Sequence, residues 1–177
     1  MSFLLTKVKN GRQPTMRISA KADYAVRATL ELAVSPDGSP VKGPRLAEAQ
    51  DIPLQFLEHI LLDLKRAGIV RTKRGARGGY WLSQPAGAVT VADIIRAVEG
   101  PLAYIQDQPP EETHYEGAAA HLRDVWIATR QTLREVLEQT TLEQIAAGDL
   151  PETVTALLRE PGAFVARGDT GSHPAVG

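Results

Sequence analysis

The stretch from Ile52 to Leu82, IPLQFLEHILLDLKRAGIVRTKRGARGGYWL, limits the fold more than any other part of the chain. Pro53 suits the first turn of a helix, where its missing N–H would have had no partner. Phe56, Leu57, Ile60, Leu61 and Leu64 then recur at helical spacing and predict one buried stripe. Gln55, Glu58, His59, Leu62 and Arg66 fall on the opposite face. Gly68 is placed to end the helix. IVRTK follows with β-branched residues in alternation and reads as a strand. RGARGG is a turn and YWL the returning strand. Between Lys65 and Arg77 there are six Lys or Arg residues and no acid. A helix with a polar outer face thus leads into a basic glycine hairpin.

The upstream residues complete the unit. Ser19 is a good N-cap for a helix running to Val34, with Ala22, Ala25, Val26, Thr29, Leu30, Leu32 and Ala33 on a broad inner face. Asp23 and Arg27 make an i, i+4 surface pair of modest value. SPDGSP at 35–40 is a turn, and Pro44 to Gln50 a short helix. Two helices joined by a tight turn, then a hairpin, predict a winged helix-turn-helix. The fold class expected is mainly α, with a small two-stranded β wing and a long dimerisation helix. In such a unit the second helix enters the major groove of duplex DNA.

After the hairpin, Thr90 starts a helix that Gly100 ends, and Thr90 and Asp93 have capping-box spacing. Residues 101–117 are a proline-containing acidic loop. A long helix from Ala118 to about Gln139 carries Leu122, Val125, Trp126, Thr129, Leu133, Val136 and Leu137 at steps of three or four. So long an amphipathic helix beside a small reading unit needs a partner, and a second copy of the chain is the simplest. Thr141 and Gln144 repeat the capping-box spacing, and Pro151 to Arg159 is a weak last helix. The expected divisions are a flexible extension at 1–15, the winged unit at 16–100, the acidic loop at 101–117, dimerisation and C-terminal helices at 118–159, and a disordered tail at 160–177.

Charge supports a DNA-facing end. Net charge is −1, so the chain as a whole carries no nucleic-acid signature. Residues 39–80, however, hold eight Lys/Arg against four Asp/Glu, while residues 100–116 hold four acids and no Lys or Arg. The candidate DNA contacts follow. Arg74 and Arg77 sit at the wing tip, where an arginine gains from the potential of a narrow minor groove. Gln55, Glu58 and His59 face outward near the start of the central helix and are candidates for base edges. Ser19, Lys21, Lys42, Arg45, Lys65, Arg66 and Lys73 are candidates for phosphate.

Other functions are excluded or disfavoured. The chain has no cysteine, so it has neither disulfides nor thiol catalysis. No nucleophile, base and orienter come together, so no enzyme is expected. GARGG resembles a phosphate loop but runs into a strand and lacks the Lys-Ser/Thr that follows such a loop. Asp107, Glu111, Glu112, His114, Glu116 and His121 have no short metal-ligand spacing, so neither a metal nor another cofactor is expected. No apolar run approaches the roughly 20 residues of a membrane span. FLL near the N-terminus is too short for a signal peptide, so a cytoplasmic protein is expected.

The pieces MRISAKADYAVRATLELA at 16–33, the 52–82 stretch, VADIIRAVEGPLA at 91–103 and DVWIATRQTLREVLEQTTLEQIA at 124–146 resemble, in that order, the Rrf-two family of winged-helix regulators. The resemblance implies a dimeric transcription regulator, here expected to be a repressor, on a palindromic, inverted-repeat operator. It puts a minor-groove arginine at Arg74. It also implies an effector, either a small molecule or a protein. Cluster-binding members resemble one another in three cysteines shortly after the EGPLA segment. This chain has none there, so a thiolate-ligated cluster is excluded. The alternative reading is a winged-helix module that binds proteins and has lost specific DNA binding; the basic wing argues against it.

Overall fold

The computed structural model describes residues 18–105 and 107–165. The expected extension at 1–15 and the tail beyond residue 165 lie outside the described residues. Helix α1 spans Ala20–Ala33 and starts as its N-cap predicts, with the Ser19 hydroxyl accepting from Ala22 N–H at 3.0 Å. Ala22, Ala25, Ala28, Thr29 and Leu32 are buried, and the small volumes of the three alanines let neighbouring helices approach closely. Val26, Leu30 and Ala33, expected inside, are only half-buried at the margin of this face. Thr29 is satisfied within its own helix, its hydroxyl donating to the carbonyls of Ala25 and Val26 at 2.9 Å. Arg27 does more than the expected pairing with Asp23. It also donates to the side chain and carbonyl of Gln50, tying α1 to the next helix.

Helix α2 (Gly43–Gln50) buries Leu46 and Ala47. Asp51, in the left-handed conformation, caps it, and the Ile52 N–H returns to the Ala47 carbonyl at 2.9 Å. Helix α3 (Leu54–Arg66) follows at once. Leu57, Ile60, Leu61 and Leu64 have 0% exposure, as the stripe predicts. Phe56 departs from it: the ring is 40% exposed and sits edge-on to Tyr24, with centroids 5.7 Å apart. Its place one step off the stripe carries it to the edge of the core. Gly68, at φ 76°, ends the helix, and the Ile69 N–H closes back on Leu64.

Strands β1 (Val70–Lys73) and β2 (Gly79–Leu82) pair antiparallel, with Val70 opposite Leu82 and Lys73 opposite Gly79. Val41 bridges the other edge of β2, exchanging two backbone hydrogen bonds of 2.8 Å with Tyr80. The wing is therefore fastened to the entry of α2. Glycine is required at this seam. A Cβ on Gly79 would lie 2.6 Å from the Val41 carbonyl oxygen, and one on Gly78 2.0 Å from that of Lys73.

Helix α4 (Val91–Glu99) opens with the full capping box of Thr90 and Asp93 and buries Ala92, Ile94, Ile95 and Val98. The acidic segment has more structure than expected. It contains short 3-10 turns at Pro110–Glu112 and Gly117–Ala119, and Pro110 is fully buried. Helix α5 consequently starts at Leu122, not Ala118, and runs to Gln139. It is about 27 Å long at 1.5 Å per residue. Helix α6 (Leu142–Ala147) has a second capping box, from Thr141 and Gln144. It packs back against α1: Leu142 is fully buried in the core, and Thr90 and Thr141 form an isolated bridge. Helix α7 (Glu152–Arg159) lies on α5. Residues 160–165, expected to be disordered, form an exposed turn.

Gly79→Ala is expected to destabilise the protein by about 1–3 kcal/mol, the usual range for added volume with nowhere to go. Chemical denaturation followed by circular dichroism measures it. An unchanged midpoint would mean that the wing does not rest on Val41.

Candidate nucleic-acid interface

Helix α3 is both the centre of the core and the carrier of the candidate contacts. Its buried stripe fixes its rotation, so Gln55, Glu58, His59, Leu62 and Arg66 all emerge on the solvent side. A further tie holds it from behind. Lys21 Nζ lies 2.8 Å from Asp63 Oδ2 and donates to the Val98 carbonyl at 2.6 Å, joining α1, α3 and the end of α4. The Lys21 hydrogen bond holds the Asp63 carboxyl below its ordinary value of 3.8, with further help from the Lys21 and Arg66 charges, against the opposing effect of burial.

This changes the expectation for two residues. Lys21 does not extend toward a ligand, because its ammonium is engaged by a carboxylate and a carbonyl inside the protein. The Ser19 hydroxyl caps α1 and also contacts Glu99. Both act as helix ties here. Arg66 reaches Asp63 at 3.4 Å but keeps a largely exposed side chain. Lys42 donates to the Gly75 carbonyl at 2.6 Å and so props the wing turn.

The wing carries exposed Lys73, Arg74 and Arg77, and Arg45 is exposed on α2. Among the described residues, no ion pair engages Arg45, Lys65, Lys73, Arg74 or Arg77. These cations are available to an external anion. The outer face of α3 and the wing meet in a groove of about 350 Å³, lined by Glu58, Leu61, Leu62, Lys65, Thr72, Arg74 and Tyr80. Tyr80 is held at this position by its two backbone hydrogen bonds to Val41. One cation was passed over in the sequence. Arg71 is exposed on β1, two residues from Lys73 and hence on the same face, while Val70 is buried. The strand alternation carried that information.

The acidic segment docks elsewhere. Glu111 Oε2 lies 2.5 Å from Arg130 Nη2, and the Arg130 side chain is only 9% exposed. A bond from its own backbone N–H, then the Arg130 side chain, holds the Glu111 carboxyl below its ordinary value. His114 and His121 are exposed and lie near Glu116 and Asp124 at 3.7 and 3.8 Å. Of the expected dimerisation residues on α5, Val125 is 54% exposed. Leu122, Trp126, Thr129, Leu133, Val136 and Leu137 are half-buried.

A helix-turn-helix whose second helix presents a polar face beside a basic two-stranded wing defines a winged helix-turn-helix DNA-binding protein. The family described as "Rrf2: Iron-dependent Transcriptional regulator" matches residues 18–148. The chain belongs to this Rrf2 family of DNA-binding transcriptional regulators and is not an enzyme. Rv1287 of Mycobacterium tuberculosis, an HTH-type transcriptional regulator by name, is 47% identical over 142 residues, covering 80% of this chain and 88% of that protein. The solved CymR, described as the global cysteine regulator of B. subtilis, is similar with a TM-score of 0.61 and 33% identity, over 76% of this chain and 98% of that one. IscR of T. potens has a TM-score of 0.62 and 29% identity, over 75% and 88%.

The residues present do not fit the iron of the family description when that iron is held by thiolates, since the chain has no cysteine. Among the described residues, no three His, Asp or Glu side chains come together as a metal site, the acidic segment included. No helix of the described residues is long and apolar enough to cross a membrane.

The Lys21–Asp63 tie has a pH signature. A carboxylate whose folded value is lowered contributes stability above its unfolded value, and that contribution is lost as pH falls through the lowered one. Asp63→Asn is therefore expected to cost about 1 kcal/mol at neutral pH, the scale of a partly exposed pair. The gap between variant and parent should close below the ordinary value of 3.8. Urea titrations at several pH values test this; a gap independent of pH would remove the ion pair from the account.

Proposed function

We propose that this protein is a cytoplasmic, homodimeric repressor that binds an inverted-repeat operator. The convergence of the α3 outer face and the basic wing on one groove supports the reading most strongly. In it, α3 lies in the major groove with Gln55, Glu58 and His59 toward base edges. Glutamine can pair with adenine, and the glutamate carboxylate can accept from cytosine N4. Arg74 and Arg77 reach into the adjacent minor groove. Lys42, Arg45, Lys65, Arg66, Lys73 and Arg71 neutralise phosphates and set register without reading sequence. Ser19 and Lys21 contribute indirectly, by holding α1 against α3.

Two copies associate through the α5 face of Leu122, Val125, Trp126, Thr129, Leu133, Val136 and Leu137. Val125 and, on the adjoining α7, Leu157 and Leu158 expose apolar surface that a second copy would cover. Two-fold symmetry then places the half-sites about one helical turn apart, or a multiple. Repression follows if that operator overlaps a promoter.

Arg74→Ala should weaken operator binding at least a few-fold, leave the dimer intact and lower the dependence of affinity on salt, since one phosphate-proximal cation is gone. Glu58→Ala should instead relax preference at one base pair, by about 1–3 kcal/mol. Fluorescence anisotropy on matched and mismatched duplexes, with light scattering for oligomeric state, reads both. A monomer that binds a single half-site equally well would overturn the dimeric reading.

DNA binding is expected to be indifferent to chelators and to thiol oxidants, because no thiol is present. Anaerobic purification followed by a visible spectrum and iron analysis checks this. A coloured, stoichiometric iron centre whose loss changes operator affinity would contradict it.

A further inference from the structure

A cavity of about 510 Å³ opens between the C-terminal end of α3 and the outer side of α4. That volume lies within the range of small-ligand sites, about 300–1,000 Å³. The cavity shares no lining residue with the groove between α3 and the wing. Its polar side is formed by Asp93 and Arg96, one turn apart on α4, together with Gln84. Its apolar side is formed by Ile69, Val89 and Ala97.

The two charged groups are not closed on each other. Arg96 Nη1 lies 3.9 Å from Asp93 Oδ1, an ion pair too long for a hydrogen bond. Asp93 uses Oδ2 for its capping box, accepting from the Thr90 backbone and hydroxyl at 3.0 and 2.7 Å. Arg96 uses Nη2 for Glu138 on α5. One carboxylate oxygen and one guanidinium nitrogen thus remain side by side on the cavity wall. Ala67 and Gly68, the end of α3, line the same cavity, and a helix C-terminus carries partial negative charge. Acceptors for a cation, a donor for a carboxylate and an apolar wall meet in one small cavity.

We propose that this cavity is an effector site for a free α-amino acid. Arg96 holds the ligand carboxylate, Asp93 and the end of α3 hold its ammonium, and Ile69, Val89 and Ala97 receive its side chain. The ligand carboxylate takes Arg96 Nη1 and, by drawing the guanidinium toward the cavity, weakens the Nη2 contact to Glu138. Glu138 belongs to α5, so occupancy loosens the tie between α4 and α5. The regulatory part of this inference rests on the reading of α5 as the dimerisation helix and α3 as the reading helix. A ligand that favours the loosened arrangement shifts the separation of the two reading heads, and only such a preference can regulate.

Calorimetric titration of the full-length protein without DNA, using the common amino acids one at a time at millimolar concentration, tests the site independently of operator binding. At least one is expected to bind. Arg96→Gln should weaken it about ten-fold, the loss of a charge-assisted contact. Glu138→Gln, which weakens the opposing Nη2 contact, should tighten it. Ala88→Trp, at the exposed rim, should fill the cavity and block binding while both charged groups remain. Anisotropy with operator duplex should then show the same amino acid changing DNA affinity in the parent but not in Ala88→Trp. No heat from any amino acid overturns the proposal. So does binding that survives Arg96→Gln, or that a carboxylate lacking the amine matches.

Discussion

Burial of the inner face of α3 is the constraint on which the rest depends. Leu57, Ile60, Leu61 and Leu64 are wholly removed from solvent. Each buried aliphatic side chain of this size contributes about 1.5–3 kcal/mol. The same four residues set the helix rotation, so the energy that folds the domain also determines which side chains face outward. Gln55, Glu58 and His59 are presented by the core beneath them. A helix rotated by one residue would trade a leucine for a glutamate in the interior, and the cost of an unpaired buried charge forbids it.

The wing depends on backbone approach more than on side-chain burial. Val41 exchanges two hydrogen bonds with Tyr80, and Gly79 has no side chain where the Val41 carbonyl lies. Lys42, the next residue, then reaches the Gly75 carbonyl at the turn. The wing cations are thereby aimed by a seam thirty-odd residues away in sequence. Their charge remains available because, among the described residues, no acid lies within ion-pair distance of Lys73, Arg74 or Arg77. Asp63 is taken by Lys21 and Arg66, Glu111 by Arg130, and Glu138 by Arg96 and Arg134.

Those ion pairs also connect the reading unit to the rest of the molecule. Arg96–Glu138 joins α4 to α5, and the Thr90–Thr141 bridge lays α6 across the start of α4. Leu142 is fully buried with the leucines of α3. The helices after the acidic segment are thus packed onto the unit that contains α3: α5 lies against α4, and α4 against α3.

The sequence by itself determined what depends on neighbours within a turn or two. The α3 stripe, the caps at Ser19, Thr90 and Thr141, the stop at Gly68 and the basic hairpin were all legible, because helix period and capping are local properties. It also excluded thiolate ligation outright. Tertiary structure alone decided which cations are free. Nothing local distinguishes Lys21 from Lys65, yet the first meets Asp63 and Val98 across the fold and the second faces solvent. It decided that Phe56 lies at the rim, that Pro110 and Arg130 are buried together with part of the acidic segment, and that Val41 completes the wing. Each of these is a meeting of residues far apart in the chain, and only the packed fold brings them within reach.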